Sequence, residues 1–166
     1  MGTNNKNIVI TSAVRTAIGT FRGSLKDMQA KDLGALVTKA AMQKSNLDSN
    51  DIDELIMGQV LTGAAGQNPA RQAAIQAGIS IEKTAYVINQ VCGSGLRSVA
   101  AGYQAIMSND SKIIIAGGQE SMTNAPHAIY LRNGKKFDES NLIDTMVKDG
   151  LWDAFNGYHM GVTAEN

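Results

Sequence analysis

The run "TAYVINQV", Thr84 to Val91, is apolar and strand-like, and it stops at the only cysteine of the chain, Cys92. Gly93, Ser94 and Gly95 follow, and then Leu96, Val99, Ala100, Tyr103, Ile106 and Met107 recur at spacings of three and four. That is the period of a helix with one apolar face. A strand that becomes a helix within a few residues is half of a β–α unit, which needs a sheet to lie on. The same alternation fills the rest of the chain up to Gly118.

"NIVITSAV" (Asn7 to Val14) predicts a short buried strand, followed by the polar loop "RTAIGTFRGSL". Leu33, Leu36, Val37, Ala40 and Ala41 predict an amphipathic helix across Lys31 to Lys44. "DELIMGQVL" reads as a second strand. Asn68 then offers an N-cap with Pro69 at the first helical position, and Gly78 a stop. Ala70, Ala73, Ala74 and Ala77 give that helix a face of small residues, able to approach a neighbour closely. "KIIIAGG", Lys112 to Gly118, is a nearly continuous β-branched run, the pattern of a strand covered on both faces. The order implies an α/β fold with a largely parallel sheet between helices. From Gln119 onward polar and turn residues dominate, with a helical piece near Leu142 to Val147, which predicts an excursion forming a surface or lid. "GVTAEN" reads as a helix opening, with Thr163 as N-cap.

Fifteen basic and fifteen acidic residues cancel, and aromatics are only 5%. Electrostatic capture of nucleic acid or of an anionic membrane is therefore not expected, nor is base stacking. No apolar run approaches the ~20 residues of a membrane span. A lone cysteine has no disulfide partner within the chain, which points to a reducing compartment, the cytoplasm or an organelle matrix.

What the cysteine does depends on where it sits. At a strand tip, with a helix beginning beside it, Cys92 meets unpaired backbone N–H groups and the positive end of a helix dipole. Both favour a thiolate over a thiol. The same N–H groups can receive the oxyanion formed when a thiolate attacks a carbonyl, and one such donor is worth on the order of 10²–10³ in rate. Gly93 and Gly95 let a bulky substrate approach the backbone. This chemistry suits acyl transfer through a covalent thioester. Two other readings stand beside it: a strand-end cysteine is often plain apolar packing, and "GSGLRS" approximates a dinucleotide-binding glycine motif, with Glu120 further on as the acidic residue.

"NQVCGSGLRSV" together with "GGQESMTNAPH" (Gly117 to His127) resembles the thiolases, specifically their acetyl-CoA C-acetyltransferase branch. "MGQVLTGAAGQNPARQAA" is similar to the family's subunit-contact segment, and "DGLWDAFNGYHMGVTAEN" to the start of its coenzyme A-facing loop region. A ketoacyl synthase shares the strand–Cys–helix device, but "GGQESMTNAPH" favours thiolase.

The resemblance implies a thiolase-like half: a mostly parallel or mixed five-stranded sheet with helices on both faces, spanning residues 1–120, and the start of a loop domain at 121–166. It implies that Cys92 takes an acyl group from one acyl-CoA, and that a second acetyl-CoA, deprotonated at its methyl carbon, attacks it to give acetoacetyl-CoA, reversibly. It places Leu151, His159 and Met160 at the substrate. His127 is expected to be mainly structural, and Gln119, Glu120 and Ser121 to be loop architecture. No cofactor or metal is implied beyond coenzyme A thioester as substrate. The implied partners are acetyl-CoA and acetoacetyl-CoA, with a dimer or homotetramer of the full-length protein. Thiolases are longer, with a second half that supplies a histidine and a second cysteine. The expectation is therefore an N-terminal part that is inactive alone, or alternatively an interaction module that pairs with a separate second half or with a full-length subunit.

Overall fold

The computed structural model of the chain describes residues 7–132, 134, 136–137 and 141–166. At its centre lies β1, Glu54–Gly58, flanked in parallel by β2, Thr84–Ile88, and β3, Ile114–Gly118. The three strands are in step: Leu55 is level with Ala85 and Ile115, and Met57 with Val87 and Gly117. Side chains alternate across a strand, so these residues share one face of the sheet. Against that face pack α1, Ala30–Ser45, and α2, Pro69–Ala77, closing a core around Leu55, Met57, Met42, Ile52 and Ile79. The other face carries Ile56 and Gly58 of β1, with Ile114 and Ala116 of β3, and is covered by α3, Ser94–Ser108. The α/β architecture, with helices on both faces of a parallel sheet, is as expected.

Local signals account for the helix ends. Asn68 Oδ1 accepts from the Arg71 N–H at 3.1 Å, Pro69 opens α2, and Gly78 closes it with φ 95°. All four alanines of α2 are buried, and α1 lies across them.

Several expectations need correction. The segment Asn7 to Val14 is not a strand, and Val9 and Ile10 are 72% and 80% exposed. Its polar groups are taken up along α1 instead: Ser12 Oγ donates to Ala41 O, and Lys44 Nζ donates to Ala13 O. The parallel sheet consequently has three strands, not five, among the described residues. Two further strands, β4 (His127–Ala128) and β5 (Ile143–Asp144), form a separate antiparallel pair. The most deeply buried strand is β1, covered from Leu55 to Gly58, whereas β3, at an edge, is half-covered. The helical piece of the excursion is a six-residue π-helical stretch, Met146–Leu151. The final helix, α4 (Met160–Glu165), starts earlier than Thr163, because His159 Nδ1 accepts from the Gly161 N–H at 3.0 Å and caps it. Positions 133, 135 and 138–140 of the excursion lie outside the described residues.

In α1 and α3 the expected apolar faces are also not the ones most deeply buried. In α1 the inward stripe is Ala30, Gly34, Ala35, Thr38 and Met42, while Leu36 is exposed. In α3 the buried residues are Ser94, Ser98 and Gly102, and Leu96, Val99, Tyr103 and Met107 face outward. The cause is the closeness of the layers. A Cβ on Gly102 would stand 3.2 Å from Ile114 Cγ2, so only small residues fit between α3 and the sheet. Among the described residues no helix is long and apolar enough to cross a membrane.

Asp53 fastens the start of β3 beside β1: its Oδ2 accepts from the Lys112 and Ile113 N–H groups at 2.7 and 3.1 Å. Those two hydrogen bonds, with a smaller contribution from Lys83, hold its carboxyl below the usual 3.8. A depressed carboxyl stabilises the fold above its unfolded pKa, and that stability is lost as pH falls through the folded one. Asp53→Ala should cost about 1–2 kcal/mol at neutral pH, by urea unfolding. The gap to wild type should narrow as pH falls below the usual 3.8 and close only once the folded-state carboxyl is protonated as well.

Candidate active site

The carboxyl ends of the three parallel strands lie on one edge of the sheet, the usual place for a ligand crevice in an α/β fold. Strands β1 and β3 both end in Gly–Gln, as Gly58–Gln59 and Gly118–Gln119. Gln59 N–H donates to Ile88 O at 3.1 Å, and Gln119 N–H donates to Gly58 O at 2.9 Å, so the ladder continues one residue past the strands. Their side chains meet in the interior: Gln119 Nε2 donates to Gln59 Oε1 at 2.8 Å, and Gln59 Nε2 donates to Leu61 O at 2.8 Å. The glycines serve close approach. A Cβ on Gly58 would lie 2.4 Å from the Ser94 carbonyl carbon, and one on Gly118 would lie 3.4 Å from Gly95 Cα. The first turn of α3 therefore rests directly on the ends of β1 and β3.

Above this floor opens a cavity of about 400 Å³, whose wall includes Cys92, Gly95, Glu120, Met122, Leu61 and Leu151. Cys92 is exposed, with its thiol free. It stands in a four-residue turn closed by Gly93 N–H donating to Gln90 O at 3.0 Å, and Ser94 N–H donates to Val91 O at 3.1 Å. The amides of Gly93 and Ser94 are thus spent within the turn. Gly95, which lines the cavity, keeps an amide N–H without a partner among the described residues. The donors available to an oxyanion are fewer than the sequence alone suggests.

Glu120 is the other ionisable residue of the cavity wall. Its carboxylate accepts from the Val60 and Leu61 N–H groups at 2.8 and 3.3 Å, pinning the loop after β1 that forms one side. Burial pushes its carboxyl up, and the backbone hydrogen bonds offset part of that rise. Gln119, Glu120 and Ser121 brace this loop, and Ser121 Oγ donates to Met28 O, tying it to the chain before α1. His127 sits opposite Asp144 in the β4–β5 pair, with Nε2 4.0 Å from Oδ2.

Of the four residues singled out by sequence, Cys92 and Leu151 share the cavity. Leu151 arrives at the end of the π-helical stretch, where the preceding Gly150 lies against Leu61. His159 and Met160 are exposed at the start of α4 and are not part of the cavity wall. The sequence reading passed over Gln59, Met122 and Leu61. The signal for Gln59 was present, since the same Gly–Gln pair closes two strand runs. A smaller cavity of about 240 Å³ near the start of α1 has its polar groups occupied, with Lys31 Nζ on Gln72 Oε1.

Residues 8–166 match the family described as Thiolase, N-terminal domain. The chain belongs to the thiolase family. It is 56% identical over 158 residues to an acetyl-CoA acetyltransferase of Paracoccus denitrificans, covering 95% of this chain and 40% of that one. It is 55% identical to the acetyl-CoA acetyltransferase of Rhizobium meliloti, covering 98% of this chain and 42% of that one. A thiolase from Ascaris suum, solved in complex with coenzyme A, superposes with a TM-score of 0.87 at 42% identity, over 94% of this chain and 41% of that one. The chain thus spans about two fifths of the length of the curated relatives it matches. For this thiolase chain, the glycine floor yields a direct expectation. Gly58→Ala, which must move the backbone of Ser94 and Gly95, should cost about 2 kcal/mol or more in urea unfolding. It should also slow alkylation of Cys92 by iodoacetamide.

Proposed function

We propose that this chain carries the acyl-accepting nucleophile of an acetyl-CoA C-acetyltransferase, with Cys92 as the nucleophile and Leu151, His159 and Met160 at the coenzyme A thioester. The observation that carries the reading is the placement of Cys92: an exposed thiol at the rim of the strand-end cavity, beside a helix start with an unspent amide. The thiolate adds to the thioester carbonyl, and the carbonyl π pair moves to oxygen, where the unspent amide of the first turn of α3 can receive it. Collapse of that tetrahedral species breaks the carbon–sulfur bond to coenzyme A. The coenzyme leaves as a thiolate, and acetyl-Cys92 remains. Condensation with a second acetyl-CoA then requires removal of a methyl proton. The one carboxylate at the cavity, Glu120, is occupied by the Val60 and Leu61 amides, so the base for that step comes from outside the residues described.

The substrates in this reading are acetyl-CoA and acetoacetyl-CoA, short acyl chains handled in either direction, with no cofactor besides the thioester itself. The setting is fatty acid metabolism in the cytoplasm, and the working form is a homo-oligomer, a dimer or tetramer. Incubation of the purified chain with acetyl-CoA should add one acetyl group, found by peptide mass spectrometry on Cys92 and abolished by Cys92→Ser. Acetoacetyl-CoA should not accumulate. Acetylation elsewhere, or none, overturns the role of Cys92, and robust acetoacetyl-CoA formation overturns the need for an external base.

The exposed apolar face of α3 favours a second reading, in which the chain works by pairing with a complementary polypeptide, a separate second half or a full-length subunit. Leu96, Val99, Tyr103 and Met107 form that face, whereas the alanines of the "GQNPARQAA" segment are consumed in the chain's own core. Native mass spectrometry after co-expression with a full-length relative decides it: a stable hetero-complex, lost when Leu96 and Tyr103 are changed to Glu, supports pairing.

A further inference from the structure

Val91, the residue before Cys92, has φ 47°. A β-branched side chain in the left-handed region is a genuine conformational outlier. In the turn from Gln90 to Gly93 it occupies the first central position, and Cys92, the second, is not among the residues with positive φ. Turns with positive φ at the first central position alone usually place glycine there. Strain of this kind persists only where surrounding contacts over-determine it, and it concentrates at functional sites.

The contacts that impose it are on the page. Ser94 is 4% exposed. Its Oγ donates to Val91 O at 2.6 Å and accepts from the Gln90 N–H at 2.8 Å. The Ser94 N–H donates to the same Val91 carbonyl. From the other side, Asn89 Oδ1 accepts the Val91 N–H at 2.9 Å. Both peptide groups of Val91 are therefore held, and one buried hydroxyl bridges the residue before it to its own carbonyl. Ser98, one turn further on, donates from Oγ to Gly95 O and Gly117 O, which locks the helix to β3 and gives the clamp a fixed base.

We propose that Ser94 is the positioning residue of the nucleophile: its hydroxyl holds Val91 in the strained elbow that presents Cys92 to the cavity. The inference rests on the reading of Cys92 as nucleophile, but its test does not require acyl transfer. The rate of Cys92 alkylation by iodoacetamide, followed across pH in the full chain, is the readout, with urea stability measured on each variant. Ser94→Ala should lower the rate by about tenfold, the equivalent of losing strain of the usual size for such an elbow. In the double variant Val91→Gly/Ser94→Ala, glycine adopts positive φ without strain, and the rate should return to within about twofold of wild type.

A merely structural Ser94 predicts otherwise: lower urea stability, an unchanged alkylation profile and no rescue by glycine. That result overturns the proposal. If Ser94→Ala does not fold, Asn89→Ala, at an exposed residue, probes the clamp from the other side and should slow alkylation about threefold; no change overturns the proposal. Acetyl transfer separates the two ideas. Acetylation of Cys92 that Ser94→Ala leaves intact sinks the clamp and spares the function. The alkylation pattern without any acetylation sinks the function and spares the clamp.

Discussion

The molecule depends on how closely α3 approaches the ends of β1 and β3. Gly58 and Gly118 lie under Gly95 and Ser94 with no room for a Cβ at Gly58, and Gly102 meets Ile114 and Ala116 further along. This closeness sets where α3 begins, and where α3 begins sets where Cys92 stands. It also decides which residues α3 can bury. With space only for serine and glycine underneath, the larger apolar side chains of the helix are turned to the outside. The stripe that looked like a core face is an open surface because a core of small residues already fills the gap.

The crevice is built by extending the sheet's own hydrogen bonding beyond the strands. Gln59 and Gln119 continue the ladder through their backbones and bond to each other through their side chains. Glu120 carries a half-buried carboxylate whose desolvation is only partly offset by the backbone N–H groups of Val60, Leu61 and Ser121. Burying a carboxylate to pin a loop is an expensive choice, made where the position of that loop matters. Here the loop is the wall facing Cys92. The strained elbow at Val91 follows the same pattern, with local conformational energy spent where a thiol is aimed.

Much of this was legible in the sequence. Asn68, Pro69 and Gly78 marked both ends of α2, and the alanine face was the buried one. The junction of strand, cysteine and helix was visible in "TAYVINQVCGSGL", and β1 and β3 followed from their apolar runs. The run Asn7 to Val14 failed because a strand needs a ladder partner, and α1 offered its own polar groups instead. The start of α4 was missed because the cap is the imidazole of His159, outside the usual set of capping side chains. In the cavity, Cys92 and Leu151 are residues the sequence had singled out, Gln59 is marked only by the repeated Gly–Gln pair, and Met122 carried too little chemical distinctiveness to stand out.

The sequence by itself determined what operates over a few residues: strand runs, helix caps, and a single cysteine placed between a strand and a helix. Only the tertiary structure decided which helix faces are buried, that the ends of three strands and the π-helical stretch meet around one thiol, and that Val91 is held against its preference. The reason is physical. Propensity and capping act within one turn of chain, whereas burial, close approach and strain are set by whatever surface lies opposite, which no local pattern encodes.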